Sequence, residues 1–344
     1  MTSQPATAEA SPYAAASWRA LGTYVQLVVD RADRLDEARS LAVALLDEVD
    51  RTCSRFRDDS DLTRANLAAG SWVTVDPMLV AAVRAAVEAA EQTDGLVDPT
   101  LGRSLVAVGY DRTIDAVRLG DGPTAIPLPA VTDAWRWLEL DPEGGIRVPH
   151  GVALDLGATG KAFASDLIST AIGRLGIGCV LSLGGDVAVG LAERPPARGS
   201  RNTGSPGGDG SGEDPTAGAP DAGLVPLVPW QVAISETPDE QPAAVVTLPA
   251  GGLATSTVLA RRWHRGGAVM HHLLDPATGR PVDPYWRTVS VLAPTCLAAN
   301  TASTASVIMG ERATDWLAER DLAARLVDAD GVVHHLGEWT EEVA

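Results

Sequence analysis

Cysteine is scarce: the 344 residues contain three, Cys53, Cys179 and Cys296. An odd number without a Cys-x-x-Cys pair indicates neither a disulfide framework nor a thiolate zinc site, and a reducing compartment is the expectation. Positive charge is also short. Lys and Arg total 27 against 45 Asp and Glu, a net charge of −18, which argues against holding a nucleic-acid backbone by bulk electrostatics. Any anionic ligand therefore needs a local device. No apolar run reaches membrane-spanning length, and MTSQPATAEASPYAAASW has no basic stretch, no apolar stretch and no cysteine to take a lipid. A cytoplasmic protein without a transmembrane segment is expected. HExxH, GxSxG and paired Cys/His clusters are missing too, so zinc hydrolysis and a serine triad lack motif support.

What is there suffices for one large domain. We expect a disordered leader over residues 1–17 and a single domain over 18–340. Its first strand is expected at TYVQLVV, where Val25, Leu27 and Val29 alternate with their neighbours. Leu41, Leu45, Val49 and Cys53 recur at helical spacing and predict an amphipathic helix leading into the polar stretch SRFRDDSDLTRAN. A second helix is punctuated by Asp76 as cap, Pro77 at its first position, a stripe of Val80, Val83, Val87 and Ala90, and Gly95 beyond its end. Between residues 193 and 223 the composition collapses to Gly, Pro, Ser, Asp and Ala, which predicts a disordered loop insertion that interrupts the domain without dividing it. Beyond Trp230 strands dominate (WQVAIS, AAVVTL, VMHHLL, TVSVLA) until a final helix near Cys296. Strand pairs interspersed with helices, with no strict βαβ rhythm, predict an α+β fold.

Three segments carry chemistry. LDLGATGKAFASD runs from Leu154 through a glycine-rich turn into a helix. It is not a nucleotide P-loop, because Asp155 and Ala162 stand where that motif needs Gly and Ser or Thr. The turn either presents N–H groups to a phosphate-like anion or uses glycine for backbone geometry alone. In VMHHLLDPATG, His271 and His272 point to opposite sides of a strand, so one of them can face a site ahead of the turn at Asp275; a structural histidine is the alternative. In APTCLAANTASTASVIMG, Asn300 and Thr304 share a helix face. They are either two oxygen ligands for a hard cation or locally bonded polar groups on a close-packed helix.

Taken in order, LGTYVQL from Leu21, SRFRDDSDLTRAN around Phe56, TDGLVDPTLG, LDLGATGKAFASD, LSLGGDVAVG, WQVAI, GGLATS, HLLDPATGRPV and APTCLAANTASTA resemble the ApbE-type FAD:protein FMN transferases. The resemblance implies an α+β fold related to the T-fold, with mixed or antiparallel sheets flanked by helices. It implies an enzyme that takes FAD as substrate, uses Mg²⁺, and transfers FMN to a threonine or serine hydroxyl of an acceptor flavoprotein, releasing AMP. Matched by position, the metal ligands are Ala158, Asn300 and Thr304, and the FAD-contacting positions are Leu21, Phe56, Leu96, Val97, Asp98, Asp155, Lys161 and Leu274. His272 matches the family's essential histidine and would be the base. Asp98, Asp155 and Asp186 are candidates for orienting ribityl, ribose or adenine groups. There are departures: Asn300 stands where the family has Asp, Leu21 where Met is frequent, Thr257 where Gly is usual, and Gly160 where Ala is common. The first touches the chemistry, since an amide oxygen carries no full charge for Mg²⁺. The alternatives are an FAD pyrophosphatase giving FMN and AMP, and an FAD-binding protein without turnover.

Overall fold

A hairpin opens the chain. Strand β1 (Ala14–Ala20) pairs antiparallel with β2 (Thr23–Val29) across a two-residue turn at Leu21 and Gly22. Residues 14–17, expected to belong to the leader, lie instead in β1, because the residues from Ala14 onward find a partner in β2. The computed structural model describes residues 11–118, 121–193, 229–236 and 241–343. Residues 1–10, and the expected insertion beyond Glu193, lie outside the described residues.

The main sheet has eight strands in chain order: β1, β2, β3 (Cys179–Leu183), β4 (Asp186–Gly190), β5 (Gly252–Thr257), β6 (Trp286–Ala293), β7 (Ala324–Asp328) and β8 (Val333–Leu336). Every neighbouring pair is antiparallel. With the helices this makes the fold α+β. Pairs of strands and helices meet without the crossover rhythm that a parallel sheet requires.

One sheet face is covered by helices α1 (Leu35–Cys53), α4 (Gly160–Arg174) and α5 (Cys296–Met309); α2 (Asp61–Leu67) packs against α1, and α3 (Pro77–Gln92) packs on α1 and α4. Val25, Leu27 and Val29 of β2 share a core with Ala38, Ala42 and Leu46 of α1 and Ile168 and Ile172 of α4. The other face meets a three-stranded sheet of Trp230–Ile234, Ala244–Leu248 and Glu341–Val343, through Val187, Leu253, Val246 and Leu248.

Local signals explain most element ends. Asp76 caps α3 by accepting from Met78 N–H at 2.9 Å, Pro77 follows it, and Gly95, at φ +80°, closes the turn beyond the helix. Four expectations shift. The α1 stripe is Ala38, Ala42, Leu46, Val49 and Cys53, with Leu41 and Leu45 on its flank, since small side chains let α1 approach β2 and α4 closely. SRFRDDSDLTRAN contains α2, capped by Ser60, whose Oγ accepts from Thr63 N–H at 3.0 Å. VMHHLL is not one strand: Ala268–His271 ends at a bend at His272, and Leu274–Asp275 pairs separately with Arg280–Pro281. The helix at Cys296 is not the last element, for a short helix, Ala313–Ala318, and strands β7 and β8 follow. No described helix is long and apolar enough to cross a membrane.

Candidate active site

Side chains alternate along β4, so Val187 and Val189 face the small sheet while Asp186 and Ala188 face the helices. Asp186, 2% exposed, thereby lies between the first turn of α4 and the middle of α5. Lys161 of α4 forms an ion pair with its Oδ2. Asn300 of α5 donates from Nδ2 to its Oδ1 at 3.0 Å. One turn on, Thr304 Oγ1 is 2.9 Å from Ser256 Oγ of β5, which also meets Ser303 Oγ at 2.9 Å.

Asp166 holds α4 and α5 in this register. Its two carboxylate oxygens accept from Cys296 and Leu297 N–H at 2.8 Å each. A negative charge at a helix N-terminus meets both the open N–H groups and the favourable end of the dipole. Burial nonetheless pushes the Asp166 carboxyl up, the two N–H bonds opposing it.

A second group flanks the glycine-rich turn. Asp155, packed beside the strand end, accepts from Gly157 N–H at 2.7 Å and forms an ion pair with Arg55. The Arg55 guanidinium lies 4.1 Å from the Phe56 ring centroid and 4.5 Å from that of Tyr110, and Tyr110 stacks on Trp263 at 5.2 Å. Phe56 keeps 42% of its surface exposed, so the end of this stack is open to a planar ligand. Asn66 of α2 braces the approach by bonding both N–H and C=O of Leu154, at 2.7 and 3.0 Å.

His272 stands at the bend after residues 268–271. Its Nδ1 is buried with no partner. Burial holds its pKa well below 6.5, helped by the positive charges of Arg261 and Lys161, while a hydrogen bond to the Arg261 main chain acts the other way. The ring is therefore neutral at neutral pH. His271, its neighbour, is tied by Nε2 to the Val282 carbonyl at 3.0 Å, which gives it a structural role.

The structure thus brings Lys161 and Asn300 onto Asp186, with Thr304 one turn beyond Asn300, sets His272 where the charge of Lys161 is felt, and joins Phe56 and Asp155 on Arg55. Ala158 is exposed in the turn just ahead of α4. Asp98 is 8% exposed, accepts from Thr100 N–H and Oγ1 at 2.7 and 2.6 Å, and has its pKa raised by burial. Val97 and Leu274, two of the expected FAD-contacting positions, have enclosed side chains. Val97 packs with Ala89 and Ala305, and Leu274 with Tyr110 and Trp263. Leu96 is partly buried. Leu21 stands apart in the hairpin turn at φ +49°, a conformation costing a non-glycine residue about 1–2 kcal/mol.

Sequence reasoning passed over Arg55, Asn66, Asp166 and Ser256. A signal existed for Asp166, a lone acid among the small and apolar residues of α4, and for Arg55, the basic neighbour of Phe56. Neither shows its partner, 130 and 100 residues away.

The donor set fits a hard cation. Asn300 Oδ1 is buried without a partner, and Thr304 offers a hydroxyl one turn away. Among the described residues no group of three His, Cys, Asp or Glu side chains could hold a metal, so the amide and hydroxyl oxygens of Asn300 and Thr304 are the candidate ligands on α5.

Residues 21–326 match the ApbE family. The chain belongs to the ApbE family. A relative from Klebsiella pneumoniae, an FAD:protein FMN transferase, is 26% identical over 95% of this chain and 88% of its own. Another FAD:protein FMN transferase, from Treponema pallidum, is 30% identical over 77% of this chain and 69% of its own. Among solved structures, the Thermotoga maritima ApbE protein superposes with a TM-score of 0.73, 22% identity, and 95% and 97% of the two chains covered. The flavin transferase ApbE from Vibrio cholerae gives 0.66, 20%, 94% and 96%. The matched ApbE span takes in both halves of the site, from Phe56 and Asp155 to Asn300 and Thr304.

Proposed function

We propose that this chain is an FAD:protein FMN transferase that uses Mg²⁺ and passes FMN to a threonine or serine hydroxyl of an acceptor flavoprotein, releasing AMP. The observation that carries the reading is the buried meeting of Lys161, Asp186 and Asn300, with an oxygen acceptor left bare, in a chain of charge −18. A pyrophosphate in such a chain needs a local cationic device, which Lys161 and a cation at the bare oxygen would supply together.

In this reading Ala158, Asn300 and Thr304 would hold Mg²⁺, which when bound neutralises charge on the pyrophosphate. Lys161 reaches the same place and offsets the negative charge that develops as the phosphoanhydride breaks. His272, neutral and within electrostatic reach of Lys161, accepts the proton of the attacking hydroxyl, a contribution of about 10²–10⁴-fold. Phe56, backed by Arg55 and Tyr110, receives a flavin or adenine ring on its exposed side. Asp98 and Asp155 lie within the segments that would orient the sugar and chain hydroxyls.

Intact mass of a threonine-bearing FMN-acceptor domain, incubated with the protein and FAD with and without Mg²⁺, tests this. A metal-dependent gain of one FMN is expected. Free FMN without acceptor modification would instead indicate a pyrophosphatase, and FAD binding with neither product a flavin-binding protein without turnover.

A further inference from the structure

Position 300 holds an amide where the ApbE resemblance implies a carboxylate, and its neighbours decide how that amide is turned. Asp186 Oδ1 lies 3.0 Å from Asn300 Nδ2. A carboxylate can only accept, so the amide must present its NH₂ group there. Its Oδ1 is thereby directed elsewhere, and it is buried with no partner in a residue only 6% exposed. An acceptor left bare at that depth is destabilising unless a cation or donor meets it. The oxygen shares its helix face with Thr304, so the bare atom and a hydroxyl look toward the same region.

We infer that Asp186 is the positioning residue of this cation site: it locks the Asn300 amide with its oxygen turned away from the carboxylate and supplies, beside it, the negative charge that position 300 lacks. The inference rests on the reading of the site as a Mg²⁺ site and names how this chain preserves it. Carboxylates behind neutral ligands fix their orientation and raise their basicity in this way, and removing one weakens metal affinity by about 10–100-fold. The same carboxylate holds Lys161 through its other oxygen. One negative charge therefore serves both the cation ligand and the lysine, and keeps them side by side.

The test is a Mn²⁺ titration of the full chain, free Mn²⁺ being read by electron paramagnetic resonance, on wild type, D186N and D186N/N300D, without FAD or acceptor. D186N is nearly isosteric, and is expected to weaken Mn²⁺ binding by about 10–100-fold. Moving the carboxylate to position 300 in D186N/N300D is expected to restore the affinity to within about threefold of wild type. Three results overturn the inference: binding by D186N within about twofold of wild type, a loss that N300D does not restore, or no binding by wild type at millimolar Mn²⁺. Because the titration needs no FAD, failure of the transferase reading is seen separately, as absent FMN transfer with the Mn²⁺ series behaving as expected.

Discussion

Lys161, the single lysine of the sequence, reaches from α4 to the carboxylate of Asp186 at the start of β4. Both partners are largely buried, with side-chain exposures of 17% and 3%. Removing one end of such a pair strands a charge, which costs about 3–5 kcal/mol when fully buried. Lys161→Ala is accordingly expected to lower stability by about 3 kcal/mol, since the lysine keeps some contact with water. It should also slow FMN transfer by about 10²–10³-fold through loss of charge compensation. Urea unfolding and acceptor-mass kinetics check the two effects. Amine-selective acetylation with peptide mapping reports on this one side chain, and FAD is expected to protect it.

Asn300→Asp places a second carboxylate 3.0 Å from Asp186 in a site shut off from water. Lys161 offsets one of two like charges so close together, and the second ionises only at a cost unless a further cation meets it. The variant should melt several degrees lower than wild type in a chelator and recover with Mg²⁺, while wild type responds less to the metal. Thermal melts in the two buffers measure the difference.

The pH dependence follows from His272. Its folded pKa is depressed below 6.5, chiefly by burial and further by Arg261, His271 and Lys161. The neutral base persists as pH falls through 6.5, so the transfer rate is expected to stay flat there and decline only in more acidic solution. Below pH 6.5 the unfolded chain takes up the proton that the folded chain refuses. The stability contributed by this group is thus full above that pH and is lost as pH falls below it. His272→Gln should abolish the acid limb of the rate profile and reduce the loss of urea resistance between about pH 7 and about pH 5.

Arg55→Ala leaves Asp155, whose side chain is 5% exposed, without its cation and removes the guanidinium beneath Phe56 and Tyr110. A cation–π contact contributes about 0.5–2 kcal/mol, so FAD affinity is expected to fall by about tenfold. Arg55→Lys should recover the charge without the flat stacking surface, and so fall between the two. Flavin fluorescence titration ranks the three proteins.

The hinge between α4 and α5 can be tested without touching the charged cluster. Asp166→Ala opens the Cys296 and Leu297 N–H groups at the start of α5, at a cost of about 1–2 kcal/mol. Because Asn300 rides on that helix, Mn²⁺ affinity should weaken together with stability, whereas the Asp76→Ala cap variant of α3 should lose stability alone.

Much of this was legible in the chain itself. Alternation in TYVQLVV determined one strand of the sheet, Asp76 and Pro77 the start of α3, and the change of pattern near Cys296 the helix α5. These are signals within one turn or one strand, where backbone geometry and side-chain spacing suffice. The ordered run of motifs likewise marked Lys161, His272, Asn300 and Thr304. Where neighbours from elsewhere compete, the reading slipped: close packing moved the buried face of α1 to its alanines, and a bend at His272 divided VMHHLL.

Only the tertiary structure decided which way the site works. Asp186 and Asn300 are 114 residues apart, and Asp166 and Cys296 are 130. No local pattern records that a carboxylate on β4 turns an amide on α5, because the bond exists only once the antiparallel sheet has set β4 and β5 under the two helices. The sequence determined that an amide replaces the expected carboxylate at position 300; the fold decided that another carboxylate stands beside it.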